Sequence, residues 1–167
     1  RTIFNILGPL INPAHEDFIL LGVYDQKLCA VLARTLMKIG IRKALVINGS
    51  GLDEVSISDT TYVAELHEDR SITEYRITPE DFGLKRYDQK EIEGGEPEEN
   101  RAVTERILSG KGTDGQNAAI AANTAALLLL AGKAGSLKEG ASMALETLKG
   151  GKAIDRLHRF AEMSNGR

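Results

Sequence analysis

Asp53 and Glu54 are adjacent carboxylates on a short segment, Gly49-Ser50-Gly51-Leu52-Asp53-Glu54-Val55, with no Lys or Arg beside them in sequence. Two hard oxygen donors on a Gly-flanked loop suit Mg²⁺, which takes one or two carboxylates and leaves its other positions to water and substrate phosphates. The run before them, Ala44-Leu45-Val46-Ile47, is apolar, β-branched and too short for a helix, so it reads as a buried strand. In an open α/β sheet, ligands bind beyond the carboxyl ends of the parallel strands, which is where this pair would fall. From spacing alone, a solvated turn whose acids cap the next element is the competing reading.

Other chemistry-bearing residues are sparse. The single cysteine, Cys29, excludes an internal disulfide and, with three scattered histidines, leaves no thiolate zinc site. It lies in an apolar helical pattern and reads as a small core residue. Gly110-Lys111-Gly112-Thr113-Asp114-Gly115 matches G-x-G-x-x-G, but helical patterns stand on both sides of it, so it reads as a helix-to-helix connector. No Gly-Lys is followed by Ser or Thr, and Gly49-Ser50-Gly51 lacks the G-x-S-x-G frame of a nucleophile elbow. His15, His67 and His158 lack metal-ligand spacing, and Arg156, His158 and Arg159 read as a solvated helix face. Arg1 precedes Thr2-Ile3-Phe4-Asn5; a guanidinium against an apolar and aromatic wall can hold a small aromatic carboxylate in two hydrogen bonds, while a surface arginine at a helix start is the plainer alternative.

The elements that must position these residues follow from periodicity. Phe18 to Val23 is a strand, and Asp25 caps a helix through Ile39 with Leu28, Val31, Leu32, Leu36 and Ile39 on one stripe, closed by Gly40. Arg42 to Ile47 follows as a strand, so residues 18–47 make a β-α-β unit with parallel strands and a right-handed crossover. Thr61 to Leu66 and Ile72 to Ile77 flank the polar turn His67-Glu68-Asp69-Arg70 as a hairpin. Thr78-Pro79-Glu80-Asp81 predicts a brief helical turn, and residues 85–99 a loop. Helices then start near Glu98, at Thr113 or Asp114, at Ser136 and near Ala153; the second, through Leu130, is apolar on nearly every side and is expected to be buried all round. The fold class is α/β, a mixed sheet flanked by helices.

The 167 residues suffice for one domain with a real core. A net charge of -3 offers no basic field for nucleic acid or an anionic membrane, and no stretch has the length and apolarity of a membrane span. Cysteine usage fits a reducing cytoplasm. The chain begins at Arg1, without Met, inside a segment that reads as packed, and is expected to be the C-terminal part of a longer protein.

Arg1-Thr2-Ile3-Phe4-Asn5-Ile6-Leu7-Gly8-Pro9-Leu10-Ile11-Asn12-Pro13 together with Gly51-Leu52-Asp53-Glu54-Val55-Ser56 resembles anthranilate phosphoribosyltransferase, and Glu98-Glu99-Asn100-Arg101 with Gly110-Lys111-Gly112 resemble its enterobacterial branch. Val63-Ala64-Glu65-Leu66, Pro79-Glu80-Asp81-Phe82-Gly83-Leu84 and the helix around Ala121-Ala122-Asn123 extend the resemblance through essentially the whole chain. It implies the C-terminal part of the α/β domain of the anthranilate phosphoribosyltransferase and nucleoside phosphorylase-like fold. The family's helical domain and glycine-rich phosphate loop would lie upstream, so the chain alone is expected to be inactive. The implied reaction, a step of tryptophan biosynthesis, joins anthranilate to phosphoribosyl pyrophosphate. Asp53 and Glu54 would bind Mg²⁺, Arg1 would orient anthranilate, and the Asn12-Pro13-Ala14-His15 loop would lie near the same pocket. The resemblance also implies a cytoplasmic homodimer, with possible anthranilate synthase association or amidotransferase fusion. A non-catalytic nucleic-acid-binding relative and a pyrimidine nucleoside phosphorylase share the fold; a salt-dependent DNA shift or phosphorolysis of a nucleoside would mark them.

Overall fold

A computed structural model describes residues 8, 10–13 and 16–166. Arg1 and His15 lie outside the described residues. The element order is β1 (Phe18–Gly22), α1 (Lys27–Lys38), β2 (Lys43–Asn48), β3 (Thr61–Leu66), β4 (Ile72–Ile77), α2 (Pro97–Arg106), α3 (Asp114–Leu130), α4 (Leu137–Lys149) and α5 (Ala153–Ser164). The sheet runs β1-β2-β3-β4, with β1 and β2 parallel and the other two pairings antiparallel. The β-α-β unit and the 61–66/72–77 hairpin are therefore as the sequence predicts.

β2 is interior, and its side chains feed both faces with a period of two. Ala44 and Val46 pack with Leu21, Val23, Cys29, Leu32, Ala33 and Leu36 on the α1 side. Leu45 and Ile47 pack with Val63, Ile77, Phe82 and the Ala122, Ala125, Ala126 face of α3 on the other. A strand buried on both sides needs an unbroken apolar run, which is why this stretch is the strongest strand signal in the chain.

Two helix faces differ from expectation. The buried stripe of α1 is Cys29, Leu32, Ala33 and Leu36, whereas Val31 and Ile39 are about half exposed. Two leucines and two small residues make the contact line, and the β-branched Val31 and Ile39 fall on its flanks. α3 is not buried all round either. Its alanine face meets the sheet and α4, where a Cβ on Gly140 would come within 2.9 Å of Ala125 Cα, while Ile120 and Leu127 face outward. Close approach on one side, rather than burial on every side, accounts for its composition.

Helix boundaries follow capping chemistry. Asp25 accepts the Lys27 N–H at 3.0 Å, one residue before the helical cap position; Thr113 Oγ1 accepts the Gln116 N–H at 3.2 Å, and Ser136 Oγ the Glu139 N–H at 3.1 Å. Thr78 and Asp81 form a capping box over the 3₁₀ turn Pro79–Phe82. The expected loop at 85–99 holds a second 3₁₀ turn, Gln89–Ile92, and α2 already starts at Pro97. The G-x-G-x-x-G stretch is a helix-to-helix connector, as expected, with Gly110 left-handed at φ 77° beside the end of α4. Arg156, His158 and Arg159 are exposed on α5.

The two sides of α1 make a direct test. Leu36→Ala in the full-length protein should cost about 2–5 kcal/mol, and Val31→Ala less than about 0.5 kcal/mol, in denaturant unfolding. Equal losses would contradict the assigned face.

Candidate functional site

The acidic loop begins where β2 ends. Asn48 is 6% exposed, and its amide ties the loop to its neighbours: Nδ2 donates to the Val23 carbonyl at 2.7 Å, and Oδ1 accepts the Gly51 N–H at 3.2 Å. Gly49 and Leu52 exchange backbone hydrogen bonds at 2.9 and 3.2 Å, closing a tight turn. Its central residues, Ser50 at φ 54° and Gly51 at φ 97°, are both left-handed, the pattern of a type I′ turn. Ser50 accepts that unfavourable conformation while its hydroxyl donates to the Thr60 carbonyl at 3.0 Å.

After the turn the chain folds back over the ends of both parallel strands. A Cβ on Gly22, the last residue of β1, would lie 1.6 Å from the Asp53 carbonyl oxygen. One on Gly49 would lie 2.3 Å from the Glu54 carbonyl oxygen. Only glycine permits this approach. The Val55 N–H donates to Asn123 Oδ1 of α3 at 3.1 Å, and the Ser56 N–H to Thr61 Oγ1 at 2.9 Å. Val55, Ser56 and Ile57 are buried, so the loop is anchored on its C-terminal side by packing.

This scaffold leaves the side chains of Asp53 and Glu54 exposed just past the carboxyl ends of β1 and β2. Glu54 counts among the exposed residues, yet partial desolvation of its carboxyl, and secondarily the charge of Asp53, hold its pKa above the ordinary value of 4.5. Among the described residues no Lys or Arg forms an ion pair with either acid; the ion pairs there join Arg42 to Asp17 and Glu68, Arg86 to Glu80 and Arg101 to Glu105, and His67 lies beside Glu65. No cluster of three or more ligating side chains occurs among the described residues. These residues do not form a complete protein cage, but two carboxylates without a cationic partner, one disfavoured as a free anion, fit Mg²⁺ that keeps its water and phosphate ligands.

Other expected site residues are placed elsewhere. Asn12 and Pro13 line a cleft of about 550 Å³ with Ile39, Gly40 and Ile41, at the amino ends of β1 and β2. That is the end of the sheet opposite the acidic loop; Arg1, whose anthranilate pocket the 12–15 loop is expected to adjoin, lies outside the described residues. Cys29 is fully buried, with its thiol pushed up to about 11 by burial first and Asp25 second, which fits a core residue and not a nucleophile. His67 Nε2 contacts Thr73 Oγ1 at 2.7 Å at the hairpin corner. Reasoning from sequence missed the supporting residues Gly22, Asn48 and Asn123. A glycine inside a strand pattern and an asparagine inside an apolar helix are the signals that could have pointed to them.

Residues 1–154 match the glycosyl transferase family, a/b domain. The chain belongs to that family. Among curated relatives, anthranilate phosphoribosyltransferase of Tolumonas auensis is 51% identical over 99% of this chain and 49% of its own length. The Aeromonas salmonicida protein of the same name is also 51% identical over the same shares. The chain therefore spans about half the length of the curated relatives it matches. Among solved structures, anthranilate phosphoribosyltransferase from Thermus thermophilus superposes with a TM-score of 0.85 at 38% identity, covering 96% of this chain and 47% of that one. The Saccharomyces cerevisiae enzyme in complex with PRPP and Mg does so with a TM-score of 0.86 at 29% identity, covering all of this chain and 48% of that one. The resemblance and the α/β fold drawn from sequence motifs are borne out by these matches.

The raised Glu54 pKa has a definite sign. A carboxyl whose folded value is raised contributes stability that is present below its unfolded value and lost as pH rises through the folded one. Without divalent metal, Glu54→Gln should therefore be neutral or stabilising near pH 7, by less than about 1 kcal/mol after solvent screening, with the difference vanishing below pH 4.5. Urea unfolding of the full-length protein at both pH values checks this; a variant destabilised only at neutral pH would reverse the sign.

Proposed function

We propose that the full-length protein containing this chain transfers phosphoribosyl from phosphoribosyl pyrophosphate to the amine of anthranilate, with this chain forming the C-terminal part of its α/β domain. The observation that carries the reading is an exposed Asp53–Glu54 pair, without an ion-pair partner among the described residues, held by backbone contacts beyond the ends of two parallel strands. The identity to curated relatives of that name supports it, as does the likeness to a neighbour solved with PRPP and Mg.

In this reaction the amine nitrogen bonds to the anomeric carbon as the carbon–oxygen bond to pyrophosphate breaks, and the nitrogen, now cationic, gives up its proton to the departing pyrophosphate or to water. Charge grows on the departing pyrophosphate while the sugar gains cationic character. Asp53 and Glu54 hold Mg²⁺, whose positive charge when bound offsets that of the leaving group. The two carboxylates act by position. The loop that carries them is tied to Val23, Thr61 and Asn123, so little reorganisation accompanies the reaction. Arg1 would orient the anthranilate carboxylate through paired hydrogen bonds. No strong protein base is needed, because an aromatic amine is neutral at pH 7. The full-length protein would be a cytoplasmic homodimer; the single cysteine, Cys29, is buried, which fits a reducing compartment.

Asp53→Asn with Glu54→Gln in the full-length protein should leave thermal stability within about 1 kcal/mol or raise it, since two like charges at one site are relieved. Turnover should collapse at ordinary Mg²⁺, and its Mg²⁺ dependence should change. A folded double variant with full activity and an unaltered Mg²⁺ profile refutes the assignment. Arg1→Ala should raise the anthranilate KM about 10- to 150-fold, the equivalent of one lost charged hydrogen bond, and affect the phosphoribosyl donor far less. Unchanged anthranilate kinetics would remove Arg1 from the pocket.

A further inference from the structure

Asn123 stands out among the polar residues of α3. It interrupts the helix's alanine face at the point where α3 meets the acidic loop. Its two amide atoms are used in opposite directions. Nδ2 donates to the Ala119 carbonyl one turn back at 3.0 Å, which fixes the rotamer, and Oδ1 then accepts the Val55 N–H at 3.1 Å. That N–H belongs to the peptide unit joining Glu54 to Val55. The carbonyl of the same unit is the one lying over Gly49, where a Cβ would come within 2.3 Å of the oxygen. The preceding carbonyl, of Asp53, lies over Gly22 at the closer distance of 1.6 Å. The loop is thus seated on two glycines from below and held from α3 by one hydrogen bond that spans 68 positions of sequence.

We infer that Asn123 is a positioning residue for the acidic pair: by holding the Glu54–Val55 peptide, α3 sets where the two carboxylates stand and hence how well they hold Mg²⁺. Several observations converge on this. Val55 is 1% exposed, so without Asn123 its N–H would be left in a dry environment, and the peptide would have to turn or shift to reach another acceptor. Asp53 and Glu54 are adjacent and exposed, so the position of their backbone decides where the two carboxylates stand. Among the described residues no cation stands beside them to hold them together. A half-buried amide side chain is well suited to the task, because it accepts a hydrogen bond without adding charge next to a metal site. The inference rests on the proposed role of Asp53 and Glu54 as Mg²⁺ ligands.

The test uses the full-length protein and a variant that separates the two bonds. In Asn123→Ser the shorter side chain can still bond back to the Ala119 carbonyl, as serine does in helices, but cannot reach Val55. Amide hydrogen exchange over residues 49–56 should rise about tenfold in the metal-free protein while exchange in β4 stays unchanged. The Mg²⁺ half-saturation of turnover should rise about three- to tenfold, with the anthranilate KM within about twofold of the parent. Asn123→Ala, which loses both hydrogen bonds on an alanine-rich helix, should shift the Mg²⁺ profile in the same direction and serves if Asn123→Ser does not fold. The Asp53→Asn, Glu54→Gln double variant is the control. If it alters the Mg²⁺ profile while Asn123→Ser leaves loop exchange or Mg²⁺ half-saturation unmoved, the positioning role is overturned and the metal assignment stands. If the double variant leaves the Mg²⁺ profile untouched, the metal assignment fails and the positioning role falls with it.

Discussion

The backbone of the acidic loop lies directly against the ends of β1 and β2, at a distance that admits no side chain at Gly22 or Gly49. Much of the site depends on that contact. A loop held by its peptide groups can leave its side chains unencumbered, and here the unencumbered ones are Asp53 and Glu54. The same closeness requires every buried polar group of the loop to find a partner inside the protein. Asn48, Thr61 and Asn123 supply those partners from β2, β3 and α3 respectively. A longer, looser connection would satisfy its backbone with water, and the carboxylates would then sample many positions.

Electrostatics reinforces the arrangement by omission. Arg42, Arg86 and Arg101 are engaged with acids elsewhere on the surface, and Arg42 and Lys43 also lie over the Phe18 ring. These exposed pairs contribute little to stability. Among the described residues none pairs with the acidic loop, so two like charges stand together with one of them partly desolvated. That configuration is mildly unfavourable in the unliganded chain and becomes favourable once a divalent cation is present. The cost is small because both acids retain contact with solvent.

The sheet explains why the site can be built on so few elements. β2 is the only described strand paired in parallel on one side and antiparallel on the other, and its apolar run is covered by α1 on one face and α3 on the other. α3 meets the sheet through its alanine face, whereas α1 does so through Leu32 and Leu36 with Cys29 and Ala33 between them. The alanine contact brings Asn123 within reach of Val55. These contact lines also turn Val31, Ile39, Ile120 and Leu127 outward, which a simple count of apolar positions had placed inside. Periodicity locates a helix's apolar face only to within about a residue on either side, since a small residue at the contact line buries as effectively as a large one.

The strands, the hairpin, the caps at Thr113 and Ser136 and the acidic pair were legible in the residue order alone, because each depends on neighbours in the chain: apolar runs, turn residues, hydroxyl side chains and two adjacent carboxylates. The family was legible too, through motifs long enough to be specific. Packing decided which face of each helix is buried, that the Asn12–Pro13 segment lies at the far end of the sheet from the carboxylates, and which residues hold the acidic loop. Gly22, Asn48 and Asn123 act on that loop from other elements, and their roles come from contacts between residues up to 68 positions apart. Such contacts arise only when the strands and helices come together, so no local pattern of residue types could announce them.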